Sequence, residues 1–124
     1  MDIDDKEFEK ITSEAIDAIP EKFIKGLNNV AIVIEDRPSR EQVRKSRGLL
    51  FGLYEGIPLT RRTNNYSGVV PDKITIFKEP ILMVSRDYED FVRRVKRTVW
   101  HEIAHYYGLG HSEIRRLESR LSKD

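Results

Sequence analysis

Helix-like and strand-like segments fall in separate blocks along this chain, and that order predicts an α+β fold. Two long segments repeat apolar residues at helical spacing, one near each end. Three short runs rich in β-branched or aromatic residues lie between them. The expected order is helix, three strands, helix, helix. There is no internal repeat, low-complexity tract or linker, so residues 1–124 are expected to form one domain around one modest core.

Each element has a local justification. Between Asp4 and Ile19, the residues Phe8, Ile11, Ala15, Ala18 and Ile19 recur at helical spacing among charged neighbours, which predicts a surface helix packed by one stripe. Pro20 interrupts it and opens a short helical turn through Phe23, Ile24 and Leu27, with Gly26 and Asn28-Asn29 as stop signals. Val30 to Ile34 is a β-branched run bounded by Asn29 and by Asp36-Arg37-Pro38, and reads as a buried strand. Ser39 to Arg47 is polar, a loop or a short helix. Leu49 to Tyr54 is the second strand candidate, ended by Gly56 and Pro58. Thr60 to Asp72 is the least regular part, and irregular stretches of that length in small domains are commonly functional.

Lys73 to Phe77 alternates polar and apolar residues as a half-exposed strand does, and Pro80 closes it. A long helix is expected to start near Arg86-Asp87, with Asp87 as cap, and to run through Tyr107. Its apolar stripe is Val92, Val95, Val99 and Ile103, with Trp100 also in the core. Gly108 and Gly110 end it, and Ser112 to Ser122 reads as a last, charged helix.

Composition narrows the functional classes. Lysine plus arginine (22) nearly balance aspartate plus glutamate (21), and a net charge of +1 gives no reason to expect nucleic acid as the main partner. The absence of cysteine excludes a disulfide scaffold and thiolate metal sites. The acidic start Met1-Asp2-Ile3-Asp4-Asp5 lacks the form of a secretory signal, and no apolar stretch reaches membrane-spanning length, so a cytoplasmic location is expected with no membrane partner.

All three histidines fall within one eleven-residue stretch, His101-Glu102-Ile103-Ala104-His105-Tyr106-Tyr107-Gly108-Leu109-Gly110-His111. On a helix, residues four apart lie about 40° apart on one face, so His101 and His105 can grip a single ion. They lie roughly 120° from the valine stripe, facing a cleft while the valines face the core. A left-handed glycine at 108 would turn the chain sharply and let His111 swing back as third ligand. Three neutral imidazoles suit one Zn2+ ion with an open position for hydrolytic chemistry. Glu102 sits beside them as general base for a metal-activated water. The plainer reading, three polar histidines near a helix end, explains one histidine and not three at ligand spacing.

Other groups have competing roles. Glu79 and Glu118 are alternative third ligands that otherwise read as surface charge. Tyr66, Tyr106 and Tyr107 are candidates to donate to the tetrahedral oxyanion, and otherwise pack. Arg93-Arg94-Val95-Lys96-Arg97 reads as a solvated helix face, with Arg94 or Arg97 placed to brace a carboxylate beneath the cleft.

From about Val30 to His111 the chain resembles the minimal zincin-like metallopeptidases of bacteria, small single-domain proteins. The resemblance rests on Leu50 to Thr60, on Pro71 to Pro80, and most specifically on Val99-Trp100-His101-Glu102-Ile103-Ala104-His105. It implies a zincin-like fold: a small twisted mixed sheet of three or four strands packed on an active-site helix, with N-terminal and C-terminal helices. It further implies an edge strand beside the cleft that pairs with an extended peptide or unfolded-protein substrate. That strand is expected at Lys73 to Phe77, making Ile74, Thr75 and Ile76 substrate-binding candidates alongside Tyr66. Two features depart from related patterns. Family members often carry Asp where this chain has His111. Metzincins carry a methionine turn downstream of the third histidine, whereas the 13 residues after His111 contain no methionine.

The expected function is therefore a zinc-dependent peptide hydrolase. Its rivals are a zinc-stabilised peptide-binding protein without turnover and a metal-dependent endoribonuclease. The latter family shares the His-x3-His-x5-His spacing but usually lacks a glutamate after the first histidine.

Overall fold

A computed structural model describes residues 1–46, 49–62 and 70–121. Among the described residues, six helices and three strands follow in the order α1 (Asp5–Asp17), α2 (Glu21–Lys25), β1 (Val30–Glu35), α3 (Arg40–Lys45), β2 (Gly52–Glu55), β3 (Asp72–Phe77), α4 (Lys78–Val84), α5 (Tyr88–Tyr107) and α6 (His111–Leu121), with a 3-10 turn at Leu59–Arg61. This is a mixed α+β architecture, as expected. Among the described residues no helix is long and apolar enough to cross a membrane.

Helix boundaries follow local chemistry. Asp4 caps α1 by accepting the Glu7 N–H at 2.8 Å, and Phe8, Ile11 and Ala15 form its buried stripe. Ser39 and Gln42 form a reciprocal capping box at the start of α3, in the segment that reads as loop or short helix. Asp87 caps α5 by accepting the Asp90 N–H at 2.8 Å. Asp90 is itself buried; the Arg86 backbone N–H and the Arg94 guanidinium hold its carboxyl down at about 2.

Helix α4 departs from the expectation, because Pro80 reads as a terminator after β3. It is the third residue of α4, in the first turn, where a missing N–H costs nothing. Lys78 ties this helix back to the amino terminus through the Ile3 carbonyl at 3.0 Å and Asp5 at 3.1 Å.

The sheet order is β1-β3-β2, with β1 parallel to β3 and β2 antiparallel to it. Two strand expectations are corrected here. Lys73 to Phe77, expected to be half-exposed and at an edge, is the middle strand. Ile74, Thr75, Ile76 and Phe77 are fully buried, and both backbone edges are paired. Val30 to Ile34, expected to be buried, is an outer strand and only half buried. Alternation along a strand reports which faces meet solvent; strand order depends on pairing partners far away in the chain.

Helix α5 touches α1, α4, α6, β2, β3 and the 3-10 turn, and is the element around which the rest assembles. Its Phe91, Val95, Val99 and Ile103 are fully buried, and Trp100 is almost so. Phe8 of α1 meets Phe91 with ring centroids 6.0 Å apart. Trp100 meets Phe23 edge-on at 4.9 Å. Each such side chain contributes about 1.5–3 kcal/mol by burial, so α5 is held rigidly beneath whatever its outer face carries.

Candidate metal centre

The outer face of α5 carries His101 and His105, half buried, with Glu102 buried beside them. The imidazole centroids are 4.7 Å apart and the rings are inclined by 72°. One ligand atom from each of His101, Glu102 and His105 lies within 4.8 Å of the others, the spacing at which they can converge on one ion. The two imidazoles are donors suited to zinc, and the Glu102 carboxylate lies close beside them. Desolvation raises the Glu102 carboxyl from 4.5 to about 7, opposed by a hydrogen bond from the Tyr54 backbone N–H. A carboxylate sealed this way gains most from a neighbouring cation, so these residues fit a divalent metal.

Above them is a cleft of about 530 Å³ whose floor is His101, Glu102 and His105 and whose wall is the chain from Leu49 to Tyr54. The wall approaches so closely because residue 52 is glycine. A Cβ there would lie 2.7 Å from Thr98 Cγ2 and 3.1 Å from Glu102 Cγ. The histidine motif does not single out Gly52, although a glycine inside a strand-like run is a signal of close backbone approach.

The register identifies the edge that faces outward. The Phe77 N–H donates to the Phe51 carbonyl at 2.9 Å, and Gly52 stands opposite Ile76. In an antiparallel pair the hydrogen-bonded and non-bonded positions alternate. The backbone groups of Gly52 and Tyr54 therefore point away from β3, and the Tyr54 N–H meets Glu102. The cleft-side edge belongs to β2, and Ile74, Thr75 and Ile76 have no edge to offer a peptide.

Tyr54 is fastened at its other end. Its hydroxyl donates to Asp72 at 2.6 Å, and Asp72 forms a buried ion pair with Arg62 at 2.6 Å. Arg62 also lies 5.1 Å over the Tyr106 ring. Burial, then the adjacent Asp72 carboxylate, pushes the Tyr54 phenol well up. This network holds β2, and through it the Tyr54 amide, in register with Glu102.

Gly108 adopts the left-handed conformation expected of it, φ 73° and ψ 26°, and its N–H returns to the Ala104 and His105 carbonyls. A Cβ there would also run into the Thr60 side chain. The chain turns, and α6 begins at His111 and packs against α5. The His111 side chain and all of Tyr66 lie outside the described residues.

The remaining candidates divide clearly. Glu118 of α6 lines the cleft, its Oε1 3.3 Å from His101 Nδ1. Glu79 does not; it is paired with Arg37 at 2.9 Å. Arg94 pairs with Asp90 at 3.1 Å, one helical turn back, while Arg97 lines the cleft. Tyr106 and Tyr107 are not oxyanion donors: the Tyr106 hydroxyl accepts the Asn28 N–H at 3.1 Å, and the Tyr107 hydroxyl donates to the Phe23 carbonyl at 2.5 Å. Tyr106 anchors the end of α5 to the α2–β1 connection, and Tyr107 anchors it to α2.

Comparison with known proteins agrees with this construction. The zincin-like metallopeptidase family matches residues 27–121. A solved conserved hypothetical protein from Thermus thermophilus is similar over 94% of this chain and 96% of its own, at 22% identity and a TM-score of 0.52, a likeness of fold. No curated protein matches the chain. With a match across the β2 wall, the α5 floor and the returning helix, the chain belongs to the zincin-like metallopeptidase family.

Proposed function

We propose that this chain is a zinc-dependent peptidase, with His101, His105 and His111 as metal ligands and Glu102 as general base. One observation carries the reading: a buried carboxylate, raised to about 7, sits beside two convergent imidazoles on the floor of a cleft walled by a strand edge.

Zinc, when bound, supplies a Lewis acid that polarises the scissile carbonyl and brings water ionisation towards neutral pH. The chain's own residues supply position and proton transfer. In the metal-free chain burial holds the Glu102 carboxyl above its ordinary value, which makes it a stronger proton acceptor than an exposed carboxylate. Its carboxylate takes a proton as the water oxygen attacks the carbonyl carbon, then delivers that proton to the amide nitrogen as the C–N bond breaks. The Tyr54 N–H fixes the orientation of the carboxylate.

An extended peptide adds to the outer edge of β2, using the Gly52 backbone groups, by β-augmentation. Leu49, Leu50, Phe51 and Leu53 line that side of the cleft, a largely apolar wall that suits an apolar substrate residue.

The test is metal analysis of the purified protein together with digestion of a diverse peptide library, with and without chelator. Stoichiometric zinc and chelator-sensitive cleavage are expected, with cleavage lost and zinc retained in E102Q. Bound zinc without hydrolysis of any peptide would favour a non-catalytic peptide-binding protein instead. Cleavage of single-stranded RNA in preference to peptides would favour the endoribonuclease.

A further inference from the structure

Metal sites built on imidazole depend on which ring nitrogen carries the proton. The two nitrogens point in diverging directions, so a partner at one faces away from an ion at the other. A carboxylate accepting from one N–H fixes the tautomer, locks the ring plane and makes the other nitrogen a stronger donor. Glu118 stands in that relation to His101. Its Oε1 is 3.3 Å from Nδ1, within reach of a hydrogen bond, and the pair is partly shielded, with side-chain exposures of 19% and 37%. Glu118 lines the cleft, yet the group that closes within 4.8 Å contains His101, Glu102 and His105 and not Glu118.

We infer that Glu118 is a positioning residue for the metal centre: it accepts the His101 Nδ1–H and so presents Nε2 to the ion. The placement is a product of the turn at Gly108, which carries α6 back against α5 and brings a residue 17 positions along the chain onto the first histidine of the motif. The same contact makes α6 part of the metal site, so that docking of this helix and metal affinity are linked.

This inference rests on the proposed metal site, and the experiment separates the two. Zn2+ affinity is measured by competition with a chromogenic chelator for wild type, E118A, E118Q and E113Q; the last removes a charge from the same helix, where Glu113 pairs with Arg116. E118A is expected to bind Zn2+ about 10–100-fold more weakly. E118Q, whose amide oxygen can still accept from Nδ1–H, should lose less, and E113Q should match wild type. Long-range 1H–15N NMR of the metal-free protein reads the His101 tautomer directly: Nδ1–H in wild type, with Nε2–H rising in E118A. A role limited to docking α6 would lower thermal stability without moving the tautomer.

Equal affinity in wild type and E118A, or an unchanged tautomer, overturns the inference. So does a Co2+-loaded E118A whose visible spectrum shows an altered ligand number, because Glu118 would then be a ligand itself. Failure of the wild-type protein to bind Zn2+ at all overturns the metal-site reading instead.

Discussion

Replacing Glu102 by Gln tests the site through stability as well as turnover. In the metal-free protein, burial raises this carboxyl from 4.5 to about 7, so the charged form is disfavoured in the folded chain. The difference between those values corresponds to about 3 kcal/mol. Below pH 4.5 the folded and unfolded chains both hold the proton, and no penalty exists. Between 4.5 and about 7 the folded chain holds it longer, so folding stability falls as pH rises. Above about 7 the full penalty is present. The E102Q chain is neutral throughout and keeps an oxygen for the Tyr54 N–H, but its buried amide donors give back about 1 kcal/mol. Metal-free E102Q should therefore trail wild type by about 1 kcal/mol at pH 4 and exceed it by about 2 kcal/mol at pH 8. Urea unfolding of both proteins in chelator across that range reads the difference, and pH effects common to both cancel. A difference that stays constant with pH, or a wild type that is the more stable at pH 8, would refute the claim that Glu102 is held desolvated. With zinc present the same substitution should abolish peptide cleavage, placing the catalytic and stability optima on opposite side chains.

Three further outcomes follow from the geometry. G108A forces a Cβ into a left-handed position and into the Thr60 side chain, costing about 1–3 kcal/mol in urea unfolding and weakening Zn2+ binding through α6. D72A removes the carboxylate from the buried Arg62–Asp72 pair, and should cost about 3–5 kcal/mol; the double variant R62M/D72L should recover most of that loss, since it removes both charges together. G52V drives its side chain into Thr98 and Glu102, so peptide cleavage should collapse, with an overpacking cost of about 1–3 kcal/mol in denaturation.

The helices are legible because their signals are local. Asp4, Ser39 and Asp87 are capping residues whose side chains need reach only two or three positions ahead. The left-handed turn at Gly108 follows from one residue type beyond a helical stripe. The ligand pair and base are legible for the same reason: three residues within one helical turn and a half share a face whatever surrounds them. The exceptions are α3, whose polar segment reads equally as a loop or a short helix, and α4, where a first-turn proline reads as a stop.

Determined by the sequence alone were the α+β class, the course of α5, and the pairing of His101 and His105 with Glu102 beside them, all set by the helical period and nearest-neighbour capping. Only the tertiary structure decided that β3 lies in the middle of the sheet and that β2 forms the wall of the cleft. It alone also brought Glu118 onto His101, and the Tyr54 amide onto Glu102. Those arrangements depend on which distant segments bury each other's surfaces, and no periodicity within a segment carries that information.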